Sequence, residues 1–451
     1  MSTIQNSPLE PVPINREVRG HSKHNIIVPI KDSEDFFIVN PLHGSADIIS
    51  ASELDMLQNQ HDTDGVFAER KYLIDEAEEN KAFKMAYLDF LDTRDEDEIQ
   101  LFFVPNYSCN FACSYCYQEG YSPAESKMTT EVVDAFFDYI SREFAGRKKY
   151  ITVFGGEPLL PGENQRKIIE YLLNKSNEAG LDVAFVTNGY TLASYVELLK
   201  TASIREVQVT LDGTKDIHDK RRYMKGGQST FDKIIEGIDR CLQSDISINL
   251  RMVADKENLG NLPELARFAI EKGWTKSPLF KTQIGRNYEL HVCNSSPDKL
   301  FTRAELYNRI YELMKVHPEI IEFYKPGFSI AKYIAENEEL PSPLFDSCPA
   351  CKTEWAFDFT GTIYSCTATV GKQGEELGTF YPTVTRNEEV ISQWQDRDIT
   401  TIEKCKTCDV ALACGGGCAS VAKNKNGSIN SPDCRPVKEL LSLGAAAYLH
   451  P

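Results

Sequence analysis

Between residues 101 and 284 short apolar runs alternate with longer amphipathic ones, and this alternation restricts the fold more than any other feature of the chain. The runs are "LFFVP" (101–105), "YITVF" (150–154), "DVAFVT" (182–187), "EVQVTL" (206–211), "ISINLRMV" (246–253) and "PLFKTQI" (278–284). Stretches of helical period such as "TEVVDAFFDYISREF" and "NLPELARFAIEKG" lie between them. Strands alternating with helices predict an α/β fold with one parallel sheet, and six units predict a partial (β/α)6 barrel instead of a closed eight-fold one. In barrels the chemistry sits in the loops after the strand C-termini, so the residues following each run carry the first functional information.

At 451 residues the chain exceeds what one core supports. Residues 1–23 hold three prolines and little apolar content, and predict a flexible tail. Residues 24–95 predict a small α+β module: "HNIIVPI", then "FFIVNPLHG" with a turn at Pro41 and Gly44, then a helix whose start has a capping box, Ser50 with Glu53. The run "DTRDEDE" (92–98) reads as a solvated linker into a barrel spanning 96–325. After about 340 the alternation stops. Residues 340–440 are rich in Cys, Gly and Lys, as expected of a domain in which metal sites replace a large apolar core.

Lys and Arg number 49 against 67 Asp and Glu, a net charge of -18 that argues against a nucleic-acid partner. No signal-peptide pattern opens the chain, and no apolar run approaches the ~18 residues of a membrane span, so the expected location is cytoplasmic, away from the membrane. In a reducing compartment 13 cysteines point to metal or redox chemistry. Cys109, Cys113 and Cys116 lie in "CNFACSYCYQEGY", eight more lie from Cys348 to Cys434, and Cys241 and Cys293 read as small buried hydrophobes. A 4Fe-4S cubane is usually held by four thiolates, so the spacing C-x3-C-x2-C leaves one iron open to a cofactor or substrate. A zinc site with a distant fourth ligand is the structural alternative.

This loop, placed after the first strand, resembles that of the radical S-adenosylmethionine (SAM) enzymes. The resemblance implies that Cys109, Cys113 and Cys116 ligate the cluster, that Tyr115 and Tyr117 lie beside the adenine, and that one-electron cleavage of SAM gives methionine and a 5'-deoxyadenosyl radical. The second run leads into "GGEP", Gly155, Gly156, Glu157 and Pro158. Its glycines permit close backbone approach and Glu157 offers an acceptor for an ammonium, which resembles the family's segment for the SAM amino group. The third run ends in Thr187 and Asn188, whose hydroxyl and amide suit ribose or carboxylate. In "VTLDGTKDIHDKRRYMKGGQSTF" the spacing of Asp212, His218-Asp219 and Arg222 resembles a signature of the sulfatase-maturing and peptide-modifying branch, which implies that Thr210, Asp212 and Arg222 contact the methionine part of SAM. His218-Asp219 reads either as an acid/base pair or as a local cap.

The C-terminal pattern is C-x9-G-x4-C from Cys351 to Cys366, then C-x2-C-x5-C-x3-C from Cys405 to Cys418, then Cys434. It resembles the SPASM extension of radical SAM enzymes. With Cys348 this implies one cluster held by Cys348, Cys351, Cys366 and Cys418 and another by Cys405, Cys408, Cys414 and Cys434, making three 4Fe-4S clusters with SAM as cofactors. Two zinc sites are the alternative. The resemblance implies a radical SAM peptide maturase that crosslinks or epimerises a ribosomally made peptide, with a low-potential electron donor such as flavodoxin or ferredoxin as partner. Residues 24–95 have the length and element order of a winged-helix-like module that binds a leader segment as an added strand, or of a plain cap on the barrel. A formylglycine-generating sulfatase maturase is disfavoured by Thr367, which stands where that family has an aspartate base. A non-catalytic iron-sulfur scaffold is disfavoured because every motif is intact. The catalytic acid or base is not assigned.

Overall fold

The strand and turn order read from residues 24–49 gives a three-stranded antiparallel sheet, β1 (Ile26–Pro29), β2 (Phe36–Asn40) and β3 (Ser45–Ile49). The computed structural model describes residues 19–116, 118, 128–286 and 297–450; residues 1–18 of the expected tail, Tyr117 and Cys293 lie outside them. Alternation gives the small sheet two apolar faces. Ile26, Val28, Phe37 and Val39 pack with Val437 and Leu441 of the C-terminal helix Val437–Gly444, while Ile38 and Ile49 pack with Leu57 and Tyr72. Ser50 caps helix α1 (Ala51–Gln58): its hydroxyl accepts from the Glu53 amide and the Glu53 carboxylate accepts from the Ser50 amide.

Helix α2 runs Glu76–Glu96, so most of the acidic stretch expected as a linker is helical. Asp75 starts it by accepting from the amides of Ala77 and Glu78, and no Gly or Pro interrupts residues 76–96. Acidic and basic side chains cost a solvated helix face little, and a charged run alone does not end a helix.

The six apolar runs form β4 (Ile99–Val104), β5 (Lys149–Val153), β6 (Val183–Thr187), β7 (Ile204–Thr210), β8 (Ile248–Ala254) and β9 (Phe280–Arg286), each parallel to its sequence neighbour. Helices cover their outer side. In α3 (Phe231–Gln243) the residues Phe231, Ile234, Ile235, Ile238 and Cys241 fall on one face and all are buried. Along β8, Ile248, Leu250, Met252 and Ala254 are buried, whereas Asn249, Arg251 and Val253 are half-open. A partial barrel therefore has an apolar outside and a polar inside.

No strand is expected in the cysteine-rich region, yet "EWAFD" forms β10 (Glu354–Asp358) and adds in parallel to β4, with Ala356 beside Phe102. Antiparallel strands β11 (Thr362–Tyr364), β12 (Glu376–Thr379) and β13 (Thr385–Arg386) complete a ten-stranded sheet. Buried Arg397 donates to the carbonyls of Gly416, Gly417, Ile429 and Ser431, tying together a chain with few regular elements. Gly417 at φ 71° allows that turn, since a Cβ there would stand 2.0 Å from the Asp433 carbonyl oxygen. Among the described residues no helix is long and apolar enough to cross a membrane.

Candidate active site

The cysteine loop after β4 is held from two sides. The segment after β7 folds back along it: Ala112 N donates to Tyr223 O at 2.9 Å, Ser114 N to Arg221 O at 3.1 Å and Lys225 N to Asn110 O at 3.0 Å. On the other side Gly156 N donates to Asn106 O at 3.1 Å and Glu157 N to Ser108 O at 2.8 Å. Cβ atoms at Gly155 and Gly156 would stand 2.8 Å and 2.1 Å from the oxygens of Asn106 and Ser108. The two glycines thus let the "GGEP" turn seat against the cysteine loop itself.

Glu157 is fully buried. Its carboxylate accepts from the Thr187 hydroxyl at 2.6 Å, the Leu159 amide at 2.8 Å and the Asn188 amide at 2.6 Å, tying the ends of β5 and β6 together. These bonds set the position of Thr187 and Asn188. The Asn188 side chain donates to Asn110 Oδ1 at 2.8 Å and reaches Cys109 Sγ at 3.8 Å.

Asp212 is also fully buried. It accepts from the Tyr115 hydroxyl at 2.6 Å, Val253 N at 2.9 Å and Arg221 Nε at 3.3 Å, while Arg222 donates to the same tyrosine oxygen at 2.7 Å. Arg221, which sequence reasoning passed over, makes a two-pronged pair with Asp255 at 2.9 Å. His218 is a local strut: Nδ1 accepts from Asp212 N at 3.1 Å and Nε2 faces the Thr230 hydroxyl at 3.1 Å. Asp219 accepts from the amides of Thr230 and Phe231. The pair is therefore the cap and not the acid/base couple.

One cavity of about 600 Å³ opens among these loops. Cys109, Cys113, Cys116, Tyr115, Gly155, Gly156, Thr187, Asn188, Thr210 and Arg222 line it; Glu157, Pro158 and Asp212 lie behind them, and Tyr117 is outside the described residues. Burial pushes the Cys109 thiol up to about 11, helped by nearby Glu157, and burial also raises Cys113 against the opposing pull of Arg222. These thiols ionise readily only with a cationic centre beside them. Phe111 N donates to Cys109 Sγ at 3.4 Å, and the buried Gln118 Nε2 and Arg222 Nε have no hydrogen-bond partner among the described residues. Three thiols on one cavity with uncommitted N–H groups beside them fit an iron-sulfur cluster and an anionic cofactor.

The C-terminal thiols fall into two neighbourhoods. Burial raises Cys351 and Cys366 above all; Cys366 and then Cys348 add to it for the first, and Glu354, then Cys348 and Cys418, for the second. Cys405, pushed up to about 11 by burial, has Cys414, Cys408 and Cys434 as its thiol neighbours. Residues of this region reach the cavity: Thr367 and Ala368 form part of its wall, and Thr367 N donates to the half-buried Glu354 carboxylate at 2.8 Å. The cavity wall also holds Gln100, just before the first apolar run, and Thr152, Gln208 and Arg251 within later ones, polar residues that the apolar signal of those runs does not single out.

The model of the Radical SAM superfamily matches residues 103–269. A GTP 3',8-cyclase of Rhizobium etli (strain CFN 42) is 35% identical over 271 residues, covering 57% of this chain and 72% of that protein. One from Rhizobium leguminosarum bv. trifolii is 37% identical over 172 residues, covering 37% of this chain and 46% of that protein, so the chain spans about half the length of that relative. Among solved structures, native anSMEcpe with bound AdoMet has a TM-score of 0.62 at 19% identity, over 78% of this chain and 98% of that one. Streptococcus suis SuiB bound to precursor peptide SuiA has a TM-score of 0.54 at 14% identity, over 92% and 99%. At these identities the structural likeness shows the fold alone. The curated relatives carry the name GTP 3',8-cyclase, which overturns the expectation of a maturase that crosslinks or epimerises a ribosomally made peptide and leaves its formylglycine alternative unsupported. That expectation rested on spacing and shape, features one fold lends to enzymes of different substrates. The parallel partial barrel, the three-cysteine loop at its open end and these relatives agree at a coarser level: the chain belongs to the radical SAM superfamily, whose members use SAM and a 4Fe-4S cluster.

Proposed function

We propose that this chain cleaves SAM reductively at a cluster held by Cys109, Cys113 and Cys116, and takes a hydrogen atom from a substrate bound in the barrel cavity. The observation that carries this is the convergence of those thiols with Tyr115, Thr187, Asn188, Thr210 and Arg222 on a single cavity. When bound, the cluster and SAM supply a hydrogen-abstracting 5'-deoxyadenosyl group. The residues do the rest. Asn188 and Phe111 direct N–H groups at Cys109 Sγ; Arg222, anchored through Tyr115 to Asp212, presents a fixed positive charge suited to the SAM carboxylate; Glu157 keeps Thr187 and Asn188 in register.

Two auxiliary clusters belong to the same reading, held by Cys348, Cys351, Cys366 and Cys418 and by Cys405, Cys408, Cys414 and Cys434. Its support is that the thiol neighbours of Cys351, Cys366 and Cys405 all belong to the same expected set. A low-potential one-electron donor of the flavodoxin or ferredoxin class is the required partner.

The test is anaerobic: the reconstituted chain is reduced with dithionite and SAM is followed to 5'-deoxyadenosine by chromatography, with and without GTP, the substrate in the relatives' name, and in a second arm with peptides. Wild type should release 5'-deoxyadenosine and Cys113→Ala should not. Equal release by the two proteins sinks the reading, and the arm that stimulates release identifies the hydrogen donor.

A further inference from the structure

Among the described residues, one guanidinium of the cavity wall has no partner. Arg251 stands in the middle of β8 on the strand face that alternates toward the interior, and it lines the cavity. Among the described residues it has neither a hydrogen bond nor an ion pair from its side chain. The other cations of the wall are engaged. Arg205 donates to Glu98 at 2.6 Å and lies 4.1 Å over the Tyr150 ring; Lys281 pairs with Glu206; Arg286 donates to the Phe301 carbonyl at 2.6 Å; Arg222 is tied to Tyr115.

The neighbouring strand makes room for this side chain. Val253 lies beside Gly285 of β9, and a Cβ on Gly285 would stand 2.7 Å from a terminal nitrogen of Arg251 and 3.1 Å from its Cζ. The backbone at Gly285 is not in the left-handed region, so the conformation there does not call for glycine. A glycine inside a strand weakens it. What its missing side chain accommodates is the guanidinium. On the other side, Arg251 is in register with Thr210 of β7, whose side chain lines the same cavity and supplies a hydroxyl at the same level of the barrel.

A guanidinium partly withdrawn from water without a counter-charge is costly unless something arrives to pair with it. We infer that Arg251, given space by Gly285, recognises one anionic group, a carboxylate or a phosphate, on the substrate whose hydrogen is abstracted; this rests on the radical-enzyme reading above. Of the remaining positive charges of the wall, Arg222 is assigned above to the SAM carboxylate and Arg205, Lys281 and Arg286 have partners in the protein, which leaves Arg251 for one group. The planar fork of arginine fits both oxyanions, with Thr210 as an additional donor.

Calorimetry under anaerobic conditions on the reconstituted full chain, with SAM present, tests this with three probes: inorganic phosphate, GTP and N-acetyl-L-glutamate. At least one should bind wild type and bind Arg251→Gln about tenfold more weakly, the worth of a charge-assisted hydrogen bond, while SAM affinity shifts by less than about twofold. Which probe responds separates phosphate from carboxylate. Gly285→Ala should reproduce the loss with the charge intact, since its methyl meets only the flexible end of Arg251. Three results overturn the inference: no probe binds wild type, Arg251→Gln binds as well as wild type, or SAM affinity falls together with that of the probe, which would put Arg251 in the cofactor site. SAM cleavage by the same wild-type preparation keeps the two readings apart. Without cleavage the radical-enzyme reading fails; with cleavage and no anion binding only the Arg251 inference does.

Discussion

At the residue scale the site is built from buried polar groups that serve one another before they serve a ligand. His218 is the clearest case. Burial, with Arg222 nearby, holds its imidazole down to about 4, because a charged ring there would lose water and face a cation. A histidine whose folded value lies below its free value of 6.5 stabilises the fold above pH 6.5, and that stability is lost as pH falls toward 4. The full loss is about 3 kcal/mol. His218→Asn, which keeps an acceptor for the Asp212 amide, should therefore flatten the decline of the urea midpoint between these pH values relative to wild type. Unchanged pH dependence would mean that His218 does not gain a proton on unfolding. His24 should continue to contribute in the variant, since burial lowers it to about 4 as well.

Residue types in this site were legible in the sequence, but their duties were only partly so. Cysteine spacing placed Cys109, Cys113 and Cys116 in one loop, and all three line one cavity because residues close together in a loop have little freedom to separate. Glu157 after two glycines has the chemistry for a ligand's ammonium, but nothing local announces that the Thr187 hydroxyl and the Asn188 amide of the next strand's end also bond to it, beside the Leu159 amide of its own loop. Arg221 and Arg222 are adjacent and chemically equal, and only the tertiary structure sends one to Asp255 and the other to Tyr115.

At the scale of elements, all six barrel strands follow the apolar runs, since a strand buried on its outer side must show that burial in composition. The polar inner face was invisible for the converse reason. In "ISINLRMV" the polar residues at every second position look like a solvent face, and nothing local says that this face encloses a cavity. β10 escaped notice because five residues bounded by a cysteine turn carry little pattern of their own; β4, some 250 positions earlier, makes them a strand. The C-terminal helix is a similar long-range element. Leu441 is fully buried among Ile26, Val28 and Val437, so Leu441→Ala should cost about 2–5 kcal/mol in urea unfolding. A cost well under 1 kcal/mol would mean that the helix does not dock on the small sheet in solution.

For the molecule as a whole, the eight C-terminal thiols and the cysteine loop set a metal count. Wild type reconstituted with iron and sulfide should carry about twelve irons, four for each of three sets, and a Cys348→Ala/Cys366→Ala double variant about eight. Tetrahedral zinc would instead give a colourless protein with metal but no inorganic sulfide. The strand that joins the two regions has a consequence of its own. Cys351 N donates to Glu354 O and to Ser365 O, so both Cys351 and Cys366 flank the β10–β11 hairpin, and β10 is laddered to β4, from which the first cysteine loop departs. No flexible tether intervenes. Tunnelling between redox centres decays exponentially with their separation; under the proposal that both cysteine sets hold clusters, the hydrogen bonds of a single sheet would hold that separation against motion of the parts.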